Sequence, residues 1–213
     1  MFTKKNILVA LLAVGSLSAL TAQTDPKAKA ILDDLSAKTK AYTTIKAEFT
    51  FTTEKKDKTK ESQEGKILTK GNKYKLEIPG HVIYCDGKTI WDYIKASNEV
   101  QVKDAETGGD DAVNPSTIFT IYEKGFKYKF DGEDATTQTI SLFPENPDKK
   151  KYHTAKLFVD KVKKQISSVK MMMKDGSTQT YTIKSFQSNT PIADTEFTFD
   201  MKGHPGVSVE DLR

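Results

Sequence analysis

Cysteine is almost absent. The single thiol among 213 residues, Cys85, leaves no internal disulfide, so a packed core must supply the stability. It closes the apolar run "HVIYC", where a buried, inert thiol is expected. Arginine is scarcer than the charge suggests. Arg213 is the only one, and lysine carries nearly all the positive charge of a chain with net charge +4. Those lysines alternate with acids and form no basic block with interleaved aromatics, which argues against nucleic-acid binding. The three histidines, His81, His153 and His204, are isolated, without a second histidine at metal-ligand spacing. There is no Gly-x-Ser-x-Gly elbow and no phosphate-cradling glycine loop. Gly108 to Asp111 ("GGDD") lacks the spaced oxygen ligands and closing glutamate of a calcium loop, and the adjacent Glu133 and Asp134 do not converge. With no positioned acid, base or nucleophile standing out, the expectation is a protein that is not an enzyme and needs no cofactor or metal.

Long apolar runs are missing as well. The longest, Ile7 to Leu20, has about 14 residues against the ~20 of a spanning helix. Lys4 and Lys5 precede it and "LTAQ" follows, the layout of a secretory signal peptide cut after Ala22. The expectation is a removed signal at 1–22, an exported soluble chain in the periplasm, and one domain at 23–213. No repeat, linker or low-complexity block divides that stretch.

Asp25 and Pro26 suit a helix N-cap and first position, and Ala28, Ile31, Leu32 and Leu35 recur at helical spacing. The period then changes to two: Ala47, Phe49 and Phe51 alternate with polar residues, as do Tyr74, Leu76 and Ile78. Turn signals at Pro79-Gly80, Asp86-Gly87, Asp131-Gly132 and Asp175-Gly176 punctuate further candidate strands, the last near 195–199. Glu54 to Glu61 ("EKKDKTKE") reads as a solvated hairpin tip. "NPSTIFTIYEKG" predicts a short second helix with Ile118, Phe119 and Tyr122 on its apolar face. The fold class expected is mainly β with covering helices: a curled antiparallel sheet of roughly eleven strands, with the helices over an apolar interior. Periodicity alone does not say whether that interior is a filled core or a ligand cavity.

Two segments narrow the reading. "YCDGKTIWDY" (Tyr84 to Tyr93) carries a D-G-K-T-[LI]-W-x-Y pattern, and "EFTFDMKGHPGVSVEDLR" (Glu196 to Arg213) carries F-T-F followed by G-V-x-V-x-D-x-R. Together with "IKAEFTF", "GKILTK", "LFVDK" and "YTIKSF" in the same order, they resemble the LolA-type periplasmic outer-membrane lipoprotein carrier family. The resemblance implies an incomplete antiparallel β-barrel with helices forming a lid, whose cavity shields the acyl chains of lipoproteins. It implies cargo received from an ATP-driven inner-membrane complex and passed to an outer-membrane acceptor, by a carrier acting as a monomer. A binding or sensing module of the same fold for another amphiphile, such as a glycolipid or pigment lipid, remains the alternative.

Carried onto this sequence, the resemblance makes Phe49, Phe51, Tyr74, Leu76, Ile78, Trp91 and Tyr93 candidates for the acyl-binding wall. Ile118, Phe119 and Tyr122 become the lid's contribution. The family's Arg-Pro pair is replaced by Lys70-Gly71, so Lys70 is a candidate for gating without a guanidinium fork. Met171 to Met173 form an unusual triplet: in a strand, Met171 and Met173 face one side and Met172 the other, and the odd pair could fill a core or line a cavity.

Overall fold

The structure is a computed structural model that describes residues 25–105 and 119–213. The signal segment 1–22, the 108–111 loop, Ile118 and most of the expected second helix lie outside the described residues.

One helix leads, α1 (Pro26–Lys40). Six strands follow: β1 (Ile45–Glu54), β2 (Lys60–Lys70), β3 (Lys73–Ile78), β4 (His81–Cys85), β5 (Thr89–Ile94) and β6 (Glu99–Asp104). Six more come after the undescribed stretch: β7 (Phe126–Glu133), β8 (Thr137–Pro144), β9 (Tyr152–Asp160), β10 (Gln165–Met173), β11 (Thr178–Ser188) and β12 (Ser208–Asp211). All twelve belong to one sheet in the order β12-β6-β5-β4-β3-β2-β1-β11-β10-β9-β8-β7. Every pairing is antiparallel except β12 beside β6, and among the described residues β12 and β7 end the order without pairing each other, so the sheet is not closed.

Three expectations need correction. The described residues form twelve strands where roughly eleven were expected. The segment near 195–199 is a 3-10 turn (Asp194–Phe197), not a strand. Among the described residues there is one α-helix, so a lid of several helices is not matched there; the described end of the segment expected to be a second helix is a single 3-10 turn (Ile121–Glu123).

Helix α1 starts where it does because Asp25 caps it. One carboxylate oxygen accepts from the amides of Lys27 (2.9 Å) and Ala28 (3.2 Å), and the other accepts from the Phe130 amide of β7 at 2.8 Å. The cap therefore also docks the helix onto the sheet. Those backbone bonds hold the Asp25 carboxyl below its usual range, the Phe130 bond most of all. Asp25→Ala should lower the melting temperature and speed hydrogen exchange at Lys27, Ala28 and Phe130. Unchanged exchange at Phe130 would contradict this docking role.

The helix buries Ala28, Leu32 and Leu35 against Ile140, Leu142, Leu157, Val169 and Met171, so it covers β7 to β11 on one face of the sheet. Ser36 donates to Glu123 at 2.5 Å and Lys40 pairs with the same carboxylate at 3.2 Å, tying the helix to the Ile121–Glu123 turn.

The chain after β11 takes the other face. Residues 190–207 form a strap that crosses behind the sheet and ends in β12. Phe197 is fully buried against β3 and β4, and the Phe199 ring lies 5.8 Å from Tyr84, 5.4 Å from Tyr93 and 4.5 Å from His204. Lys70 and Lys73 both clamp the strap's Asp194, at 2.7 and 2.8 Å, and Lys75 reaches Glu196 at 3.2 Å. Hydrogen bonds from Lys70 and Lys73 hold the Asp194 carboxyl down at about 2. A carboxyl depressed in the folded state stabilises above its unfolded value of ~3.9 and loses that contribution as pH falls toward about 2. Asp194→Asn should therefore flatten the stability curve between about pH 4 and pH 2. Urea midpoints measured across that range test it, and an unchanged slope would contradict the clamp.

Candidate functional site

Cross-strand partners share a face and successive residues alternate, so the register assigns every side chain to the helix-bearing face or the strap face. From Ala47 the register runs through Ile67, Leu76 and Ile83, and from Tyr74 through Cys85 to Ile90. On the other flank, Phe49 faces Ile183 and Phe51 faces Tyr181. Phe49, Phe51, Tyr74, Leu76 and Ile78 thus share the helix-bearing face. Trp91 and Tyr93 do not join them: Trp91 opposes Tyr84, which opposes Lys75, and Tyr93 opposes Val82. Both stand on the strap face, where Tyr93 packs with Phe199 and His204.

The remaining candidates fall as follows. Phe119 is buried with Ile45, Ala47 and Ile67, its ring 5.6 Å from Phe186 and nearly perpendicular to it. Tyr122 is buried under α1. Met171 is buried there too and Met173 packs beside it, while Met172 opposes Thr154 on the strap face. Lys70 is held on the strap by Asp194 and by the Ile192 carbonyl, at 3.1 Å, on the opposite face from the helix.

These positions divide the helix-bearing face in two. Over β7 to β11 it is closed by α1 into a filled core. Over β1 to β5 Ile45, Ala47 and Ile67 are buried with Phe119, Tyr74 and Cys85 are buried as well, and around them runs an apolar wall of half-buried residues: Phe49, Phe51, Leu76, Ile78, Ile83, Ile90 and Ile94. Reasoning from sequence missed Ile83, Ile90 and Ile94. Their signal lay in the alternation of "HVIYC" and "TIWDYI", which register alone converts into a common face. The wall is shaped at one point by Gly65, which lies opposite Phe49; a Cβ there would come within 2.4 Å of the Phe49 ring. The far end of the ring thus takes the space that a side chain at position 65 would fill.

Burial sets the electrostatics of this face. It pushes the Tyr74 hydroxyl up to about 12 and raises the Cys85 thiol, so both are neutral at pH 7. Among the described residues no group of three His, Cys, Asp or Glu side chains could hold a metal ion. The strap face differs in kind: a hollow of about 510 Å³ there is lined by hydroxyls, among them Thr52, Thr178, Thr180 and Ser168, together with Glu54, Lys60 and Lys170. Hydroxyls and charges make that lining a poorer surface for hydrocarbon than the wall over β1 to β5, whose side chains are mainly apolar.

A largely antiparallel open sheet, half covered by one helix and leaving an apolar wall on the same face, defines the class: single-sheet proteins with one partly covered apolar face. The chain belongs to the outer membrane lipoprotein carrier protein LolA family, whose model matches residues 17–185. Its fold is similar to that of an uncharacterized conserved protein from Thermus thermophilus, at 11% identity over 87% of this chain and 99% of that one, with a TM-score of 0.57. Weaker similarity is found to LprF from Mycobacterium bovis (12% identity, 80% and 96% covered, TM-score 0.49). A LolA superfamily protein from Nitrosomonas europaea is also similar (11% identity, 82% and 98% covered, TM-score 0.45). No curated protein matches the sequence significantly.

Proposed function

We propose that this protein is a periplasmic carrier that shields the acyl chains of lipoproteins on the helix-bearing face of β1 to β5. The observation that carries the reading is the half-buried apolar wall beside the helix-covered core, in a chain of this family. Each methylene removed from water gains ~0.8 kcal/mol, so an acylated protein does not leave a bilayer without an alternative surface for its chains. The wall supplies that surface without covalent chemistry. Cargo would come from an ATP-driven inner-membrane complex and pass to an outer-membrane acceptor, with the carrier working as a monomer.

One observation favours a second reading, in which the same wall holds a different amphiphile. Lys70, at the place of the arginine that the resemblance links to gating, is paired with Asp194 on the strap face, which supports a release device other than the family's. Release of cargo then needs another device, or the cargo is another lipid. Depletion of the protein in its host separates the two. The carrier reading expects outer-membrane lipoproteins to accumulate in the inner membrane, and normal sorting would overturn it in favour of another amphiphile.

A further inference from the structure

Asp92 is out of place. In β1 to β5, away from the β1–β2 tip, it is the one carboxylate on the helix-bearing face. The register sets it between Ile83, in the row that continues to Leu76, and Gln101 of β6, and His81 lies opposite Ile78 in the row that continues through Ile94 to Glu99, so the pair stands where the apolar wall meets the polar side chains of β6. One Asp92 oxygen, Oδ1, is 2.9 Å from His81 Nδ1. The side chains are 24% and 39% exposed, so they are neither sealed in the core nor fully in water. Nothing in the described residues contacts the other two polar atoms, Asp92 Oδ2 and His81 Nε2, through a hydrogen bond or ion pair. A partly exposed pair of this kind contributes little to folding, so stability alone does not account for it.

Apolar ligand sites carry a few placed polar groups that fix the ligand's orientation. Resting on the carrier reading, we infer that His81 and Asp92 form the headgroup end of the acyl wall, selecting amphiphiles whose polar end is an uncharged hydrogen-bond donor such as an amide or hydroxyl. Asp92 Oδ2 accepts the N–H or O–H of that head while the chain lies along Ile83 and Leu76. A fatty-acid carboxylate in the same place meets a like charge and has no proton to offer, so it is rejected. The specificity then comes from an unfavourable contact as much as from a favourable one.

The test compares two ligands with one chain, N-lauroylethanolamine and laurate, by displacement of N-phenyl-1-naphthylamine from the mature protein at pH 8. The wild type should bind the amide at least about tenfold more tightly than laurate, about 1.4 kcal/mol of discrimination. Asp92→Asn keeps shape and removes the charge, and should bring the ratio close to one mainly by improving laurate binding. A double variant, His81→Phe with Asp92→Val, should keep or raise the urea midpoint while losing the preference, which separates selection from folding. Equal binding by the wild type, or an unchanged ratio in Asp92→Asn, would overturn the headgroup assignment and leave the acyl wall standing. Failure of both ligands to displace the probe from any variant would overturn the wall itself.

Discussion

Phe197→Ala should destabilise the protein by about 3–5 kcal/mol, the range for removing a fully buried aromatic ring. Phe197 belongs to no regular strand, yet it is among the largest side chains with no exposed surface. It anchors the strap that covers the back of β3 to β6, a half of the sheet that α1 does not reach. Without the ring, Val82, Val100 and Val102 lose their cover together with the aromatic stack of Tyr84, Tyr93 and Phe199. The urea midpoint should fall steeply, and amide protection should be lost first in β4 to β6. Met201→Ala on the same strap, 55% exposed, should change stability by less than about 0.5 kcal/mol. A loss below about 1 kcal/mol for Phe197→Ala would mean that the strap is an ornament on a self-sufficient sheet.

Ile83→Ser with Ile90→Ser should weaken acyl binding by roughly 30- to 150-fold. Each side chain offers one wall contact worth about 1–1.5 kcal/mol of apolar burial, and each 1.4 kcal/mol is tenfold in affinity. Both are half-buried in the free protein, so folding should suffer much less than binding. Probe displacement and urea unfolding on the same preparation separate the two effects. Thr52→Ser, in the hydroxyl-lined hollow on the opposite face, should leave binding unchanged. Equal losses for the two faces would contradict a sided binding surface.

Much of this architecture was legible because period and turn chemistry are local. The Asp25 cap, the Ala28–Leu32–Leu35 stripe and the alternation of Phe49 with Phe51 each read correctly from a few neighbouring residues. What local reading does not supply is the face, which depends on register. Trp91 and Tyr93 do share a face with each other, as spacing by two requires. Whether that face is also the face of Tyr74 depends on the hairpin between β4 and β5. There the turn pairs Cys85 with Ile90, not with Trp91, and a slip of one residue would have reversed the answer. Met171 shows the same limit: its parity with Met173 was readable, but only α1 lying over β10 makes that side the core.

Two elements misled for opposite reasons. Glu196 to Phe199 alternates like a strand because Phe197 and Phe199 point into the sheet from behind it, so the period is real but the pairing is absent. Ser208–Asp211 does pair, yet all four residues are exposed and carry no pattern to find. Its position follows from the strap that delivers it to β6.

The central claim is that hydrocarbon meets this protein on the helix-bearing face of β1 to β5. A triacylated cysteine peptide carrying a diazirine within one chain, activated by light in complex with the mature protein, tests it by peptide mass spectrometry. The account predicts label on Phe49, Leu76, Ile83, Ile90 and their neighbours on that face. Label concentrated on Trp91, Tyr93, Phe199 or the hydroxyl-lined hollow, or none at all, would contradict it.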